Sequence, residues 1–301
     1  MLYFIKKHKL DSTALYFIII MFFIGCEESP LDEYNRFQSK LVVDGRIESG
    51  SFARVFVTRN IPYYFELDSS NIMDFIITQA RVEVSDGENS EFLSLRYDEN
   101  FFPPYFYQGR NIRGEPGNTY YLTVTVGEHE VTSSTSIPQP PVVDTAWVEP
   151  VDENPEKGAL SVKVIPECDQ ELFYRFYTMV YSDSKIFHPS LLPNFDSRFF
   201  PHNEVVLSLN KGPSSFMKME DAEFLFNLSD TIALKICRID HEQYQFWESY
   251  QEEVFGGSNP FTAGNRQVKS NINGGYGNWG GFSVKYFTIY PDLTHNLKFD
   301  R

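Results

Sequence analysis

From Lys40 onward the chain alternates apolar and polar residues with a period of two, in short runs bounded by turn residues, the pattern of strands with one face in a core. Leu41–Ile47, Ala53–Arg59 and Ala80–Ser85 are the first three expected strands. Asp86-Gly87 supplies a turn before Phe92–Tyr97, and Tyr105–Tyr107 follows. Glu115-Pro116-Gly117-Asn118 is a second turn signal, ahead of Tyr120–Val126 and Val131–Ile137. About seven short strands in roughly a hundred residues is the count of an immunoglobulin-like sandwich, here without the Cys-Trp-Cys pattern of antibody domains. Asn60–Thr78 interrupts the series with a long apolar stretch that either touches a partner or covers a sheet edge with a strand or short helix.

Ile137-Pro138-Gln139-Pro140-Pro141 marks a boundary, because proline cannot continue a ladder and consecutive prolines stiffen a linker. Strands resume at Thr145–Val151, Leu160–Ile165 and Leu172–Tyr181, the last apolar on both faces and so expected at the centre of a sheet. Lys185–Asn203, with His188, His202 and three prolines, is expected to be an aromatic-packed loop; no third ligand at a defined spacing turns the histidines into a metal site. Glu204–Leu209, Ala222–Asn227 and Thr231–Ile239 are further strands. Residues 240–254 carry the one helical pattern, with Asp240 as N-cap, Gln243 three residues on, Gly256-Gly257 as a stop, and Tyr244, Trp247, Tyr250 and Val254 along one face expected to pack in the core. The predicted fold is mainly β: an immunoglobulin-like β-sandwich over 40–137, a Pro-rich linker over 138–144, and a β-rich domain over 145–301 with helix 240–254.

The most distinctive stretch of the body is Ser270–Val284, with five glycines. It lacks a Walker lysine, and a strand over Phe282–Ile289 follows it where a dinucleotide fingerprint requires a helix. Asn271, Asn273, Gly274, Gly275, Tyr276, Gly277 and Trp279 are the candidate ligand or partner loop; the other reading is a tight turn that lets the last strand join the sheet.

The first 25 residues follow a different rule. Lys6, Lys7 and Lys9 precede an apolar run from Ala14 to Ile24, and Gly25 stands before Cys26, the layout of a secretory signal. The run is shorter than the roughly 20 residues that span a bilayer. Phe23-Ile24-Gly25-Cys26 resembles a bacterial lipobox, so cleavage before Cys26 and acylation of its thiol are expected, with an acidic tether over 26–39. Buried acyl chains at about 0.8 kcal/mol per methylene hold such a protein on a membrane. The net charge of −15 argues against nucleic acid, which needs clustered Lys and Arg. The 28 Phe and 18 Tyr point first to strands. Cys168 and Cys237 are the only other cysteines; they are expected as buried small residues, with a single disulfide the alternative. No cofactor, metal or catalytic motif is legible.

Leu41-Val42-Val43-Asp44-Gly45 soon after the cysteine, the Tyr120–Val126 strand leading to Ile137-Pro138, the helix with Tyr244 and Tyr250, and Asn259-Pro260 followed by Asn271-Ile272-Asn273-Gly274-Gly275 together resemble one family. It is the Bacteroidota outer-membrane lipoproteins of domain-of-unknown-function family 4249. The resemblance implies a protein lipid-anchored to the outer membrane through Cys26 and, with the acidic tether acting as an export signal, facing the exterior. It also implies a non-enzymatic accessory partner of a TonB-dependent uptake receptor, and it carries over no catalytic residue. A secreted glycan- or peptide-acting hydrolase and an adhesin or structural surface module are the alternatives.

Overall fold

The computed structural model describes residues 38–62, 65, 68, 71–151, 154–165, 171–199, 205–212, 224–256 and 268–290. Cys26, Cys168, His202 and Asn259-Pro260 lie outside them. By contact, Lys40–Asn60 and Leu67–Arg301 make one compact unit; the second unit is Met1–Ser39 with Ile61–Glu66, of which few residues are described.

The strands of the first half are β1 (Leu41–Glu48), β2 (Phe52–Arg59), β3 (Arg81–Ser85), β4 (Ser90–Phe92), β5 (Ser94–Tyr97), β6 (Tyr105–Arg113), β7 (Thr119–Val126) and β8 (His129–Ser136). Those of the second are β9 (Val143–Val151), β10 (Asn154–Val164), β11 (Phe173–Val180), β12 (His188–Asp196), β13 (Val205–Leu209), β14 (Phe226–Asn227), β15 (Ile232–Ile239) and β16 (Tyr276–Ile289), with helix α1 (His241–Gly256) between the last two. An eight-stranded sheet runs β12-β11-β15-β16-β1-β2-β6-β5. Two four-stranded sheets accompany it, one of β4-β3-β7-β8 and one of β13-β10-β14 with β9 also on β10. The arrangement is mainly β and sandwich-like, as the alternation predicts.

Strand β16 joins the halves. Its first half, Tyr276–Phe282, pairs in parallel with β1, and its second half, Ser283–Ile289, pairs antiparallel with β15. The linker 138–144 separates two cores in sequence, but residues from the far side of the chain complete the first. That core gathers Val43, Ile47, Val55, Leu122 and Trp279, and the second gathers Leu160, Tyr174, Phe176, Leu234 and Phe287. Gly45 stands opposite Trp279 in the ladder, and a Cβ there would come within 2.7 Å of the Trp279 ring. Only glycine lets the indole lie flat against β1.

Three expectations change. Phe92–Tyr97 is two strands in different sheets: β4 pairs with β3 and β5 with β6, and the chain crosses at Leu93, which is buried in the first core. Lys185–Asn203 contains β12 in place of a loop; Pro189 and Pro193 are tolerated because β12 is an edge strand paired only with β11. Along α1, Tyr244 and Trp247 pack on a third apolar cluster with Phe173, Tyr177 and Phe282, but Tyr250 and Val254 are exposed. Asp240 does cap the helix, accepting from the Gln243 backbone N–H at 2.8 Å.

Candidate functional site

Alternation places one set of residues from the eight-stranded sheet in the cores and the other set on the opposite face. On β1 the core receives Leu41, Val43 and Ile47, so Asp44, Arg46 and Glu48 point the other way. On β2 the same rule turns out Arg54 and Phe56, on β11 Arg175 and Tyr177, on β15 Lys235 and Cys237. All of these side chains except that of Cys237 line a cavity of ≈ 720 Å³, closed on one side by Trp247 and Tyr250 of α1.

The cavity contains six Lys and Arg (Arg46, Arg54, Arg113, Arg175, Lys185, Lys235) against two carboxylates, Asp44 and Glu48, within a chain of net charge −15. Glu48 is committed to protein partners: its Oε1 accepts from Lys235 Nζ at 2.5 Å and lies 3.6 Å from Arg46 Nε, and its Oε2 accepts from Tyr286 Oη at 3.3 Å. Burial alone would raise its pKa, but Lys235 and Arg46 hold the carboxyl down at about 2. Lys235 is buried too; desolvation pulls its pKa down, but Glu48 together with Cys237 and Tyr286 more than offsets that, so its pKa rises. Asp44 has protein packed densely about it while its side chain opens onto the cavity; desolvation raises its pKa, and Arg46 and Arg175 only partly oppose that.

Arg175 is held in place. Its Nε donates to Tyr177 Oη at 2.9 Å and its Nη1 to Asn194 Oδ1 at 2.5 Å, and its guanidinium stands 3.8 Å from the centre of the Trp247 ring. Asn194 is itself fixed by Glu248 and Gln251 of α1. The helix is pinned to β16 by a buried reciprocal amide pair: Gln243 Nε2 donates to Asn278 Oδ1 at 2.9 Å and Asn278 Nδ2 to Gln243 Oε1 at 2.7 Å. The Gln243 side chain therefore serves this junction and not the capping box its spacing suggests. Arg54 stacks on Phe101 and Phe106; burial and the neighbouring Arg46 charge lower its pKa. Arg54 Nε and Trp247 Nε1, both on residues of this cavity, are buried without hydrogen-bond partners.

The glycine-rich candidate residues have structural work. Trp279 is fully buried and its Nε1 donates to the Tyr120 carbonyl at 3.1 Å, so it faces the core and not a ligand. The Asn271 side-chain amide mimics a strand neighbour, accepting from Trp279 N at 2.9 Å and donating to Trp279 O at 2.8 Å. Asn273 exchanges backbone hydrogen bonds with Thr132. Gly274 and Gly277 have positive φ, Gly275 packs against Leu41 and Val131, and Lys40 lies over the half-buried Tyr276 ring. The tight-turn reading therefore describes this stretch. Asn271, Asn273, Gly275 and Tyr276 also border a separate groove of ≈ 760 Å³ beside α1, but its Gln245 and Lys269 are already joined to each other. The sequence signal for the cavity was different: Arg175 and Lys235 stand inside strands that are otherwise apolar and buried, where an ionised group needs a reason.

A mainly β, sandwich-like protein with a cation-rich cavity on the face of its main sheet is the class these features define. The chain belongs to the family described as domain of unknown function (DUF4249), whose model matches residues 27–287. No curated protein matches it at a significant level.

Proposed function

We propose that this protein is a non-enzymatic lipoprotein, anchored to the outer membrane through acyl chains on Cys26 and facing the exterior. In this reading it binds a small ligand in the cavity as the accessory partner of a TonB-dependent uptake receptor. The observation that carries the binding role is the cavity itself, a concave site with converging polar groups built on central strands. The address rests on the Lys6–Cys26 signal layout and on family membership. Affinity purification of the full-length protein from its native membrane in mild detergent, with mass identification of partners and of the Cys26 adduct, tests both parts. A co-purifying receptor and an acylated Cys26 are the expected results; a partner-free, unacylated protein refutes the reading.

The hydrolase alternative has one observation in its favour, the presence of Asp44 and Glu48 in one cavity. Two carboxylates four residues apart on a strand have Cα atoms about 13 Å apart at ~3.3 Å per residue. Glycosidase pairs need a carboxyl separation of roughly 5–9.5 Å. Glu48, clamped by Lys235 with its pKa at about 2, is also a poor proton donor at neutral pH, and the binding reading is preferred.

A further inference from the structure

We propose that the cavity takes a small hydroxylated oxyanion, a carboxylate- or phosphate-bearing molecule whose anionic group sits among Arg46, Arg54 and Arg175. The inference rests on the reading of the cavity as a binding site and names the chemistry of what enters it.

Arg46 and Arg54 are directly opposite each other across β1 and β2. Their side chains therefore rise from the same face, an arrangement that destabilises a sheet when the charges are alike. Among the described residues no carboxylate resolves it fully: Glu48 lies 3.6 Å from Arg46 Nε and answers that charge only in part. Glu48 is engaged by Lys235, and among the described residues neither Arg54 nor Arg175 forms an ion pair. The Nε of Arg54 is buried with no acceptor. An oxyanion between these guanidiniums relieves the repulsion and supplies the missing acceptors at once.

Selectivity follows from how the groups are held. Arg175 is fixed through two of its nitrogens and the Trp247 ring, so its Nη2 edge is pre-organised, and the planar fork of arginine matches carboxylate and phosphate geometry. Asp44, opening onto the same cavity, is an acceptor for ligand hydroxyls and leaves the surplus of positive charge intact. Trp247 adds a ring face and a buried, unpartnered indole N–H. A volume of ≈ 720 Å³ suits a small molecule and not a folded partner.

The test is calorimetric titration of the full chain in detergent with glucuronate and citrate as carboxylate probes, glucose 6-phosphate as the phosphate probe and glucose as the neutral control. At least one anionic probe is expected to bind at least tenfold more tightly than glucose, to weaken with added salt, and to lose at least tenfold in Arg54→Gln and Arg175→Gln. Whether the carboxylate or the phosphate probes bind identifies the source of the oxyanion. Arg54→Gln removes one of two opposed like charges, so its unfolding midpoint without ligand is expected to equal or exceed that of the wild type, which separates lost binding from lost fold. Anions that bind no better than glucose, or an Arg54→Gln variant of wild-type affinity, overturn the inference. Binding of glucose that shifts the tryptophan emission in a Trp147→Phe background, which retains Trp247 beside the fully buried Trp279, without preference for anions, overturns it while the binding reading stands. Emission unmoved by every probe removes both.

Discussion

Replacing Glu48 by glutamine keeps the shape of the side chain and removes the charge that Lys235 depends on. Glu48 is held at about 2 against an ordinary value of 4.5. At ~1.4 kcal/mol per unit this corresponds to roughly 3 kcal/mol of folding stability. The side chains of Lys235 and Glu48 are 6% and 13% exposed, so solvent screens the pair little, and removal of one partner from a buried pair costs about 3–5 kcal/mol. The two routes agree. The folded-state pKa lies below the unfolded one, so the contribution is complete above about pH 4.5 and fades as pH falls toward 2. Glu48→Gln is therefore expected to lose about 3 kcal/mol at pH 7 but only about 1 kcal/mol at pH 3, where the wild type has surrendered most of the same term. Urea unfolding followed by circular dichroism at the two pH values measures the difference. The double variant Glu48→Gln/Lys235→Met should regain most of the loss, since a buried pair replaced by uncharged groups is often neutral. A loss below 1 kcal/mol at pH 7, or one that is the same at pH 3, refutes the account of this pair.

Three further outcomes are expected. Trp279→Ala should destabilise by about 3–5 kcal/mol in chemical unfolding, because it empties a fully buried site and removes the indole hydrogen bond to the Tyr120 carbonyl. Gly277→Ala should cost at least about 1–3 kcal/mol, since φ is +108° and the added Cβ would run into the Val43 carbonyl oxygen; a wild-type melting curve would contradict the tight parallel pairing of β16 with β1. Burial pushes the Cys237 thiol up to about 12, so in a Cys26→Ser/Cys168→Ser background it should resist a thiol reagent at pH 8 until urea unfolds the chain, and prompt labelling of the native protein would refute its burial.

Alternation made β1, β2, β3, β7 and β8 legible because each presents one uninterrupted row of apolar side chains to the core. It failed at Leu93, whose side chain is buried where the chain changes sheets, so that hydropathy alone reads one strand across two. It failed at β12 because prolines at 189 and 193 are penalised by a rule that edge position suspends. The cavity was hidden for a related reason. Asp44, Arg46 and Glu48 alternate with apolar residues just as a solvated strand face would, and only α1, pinned by Gln243 and Asn278, together with the neighbouring strands, turns that face into the wall of a cavity. Arg175 and Lys235 were visible as charges within apolar runs, but the pairing of Lys235 with Glu48 joins strands far apart in sequence, and no local pattern encodes it. The glycines of Ser270–Val284 were distinctive, and the structure gives them a packing reason, close approach to β1 above all.

The parallel ladder between Val42 and Tyr276 also imposes an order on biogenesis. A ribosome-bound chain that has emerged only as far as α1 has β1 and β2 but not β16, so one edge of β1 stays open and the first core lacks its indole. Contacts of such long sequence separation form late and slow folding. The first core is thus kept from closing until nearly the whole described chain is available, and chains truncated before residue 276 are expected to be readily cleaved by proteases.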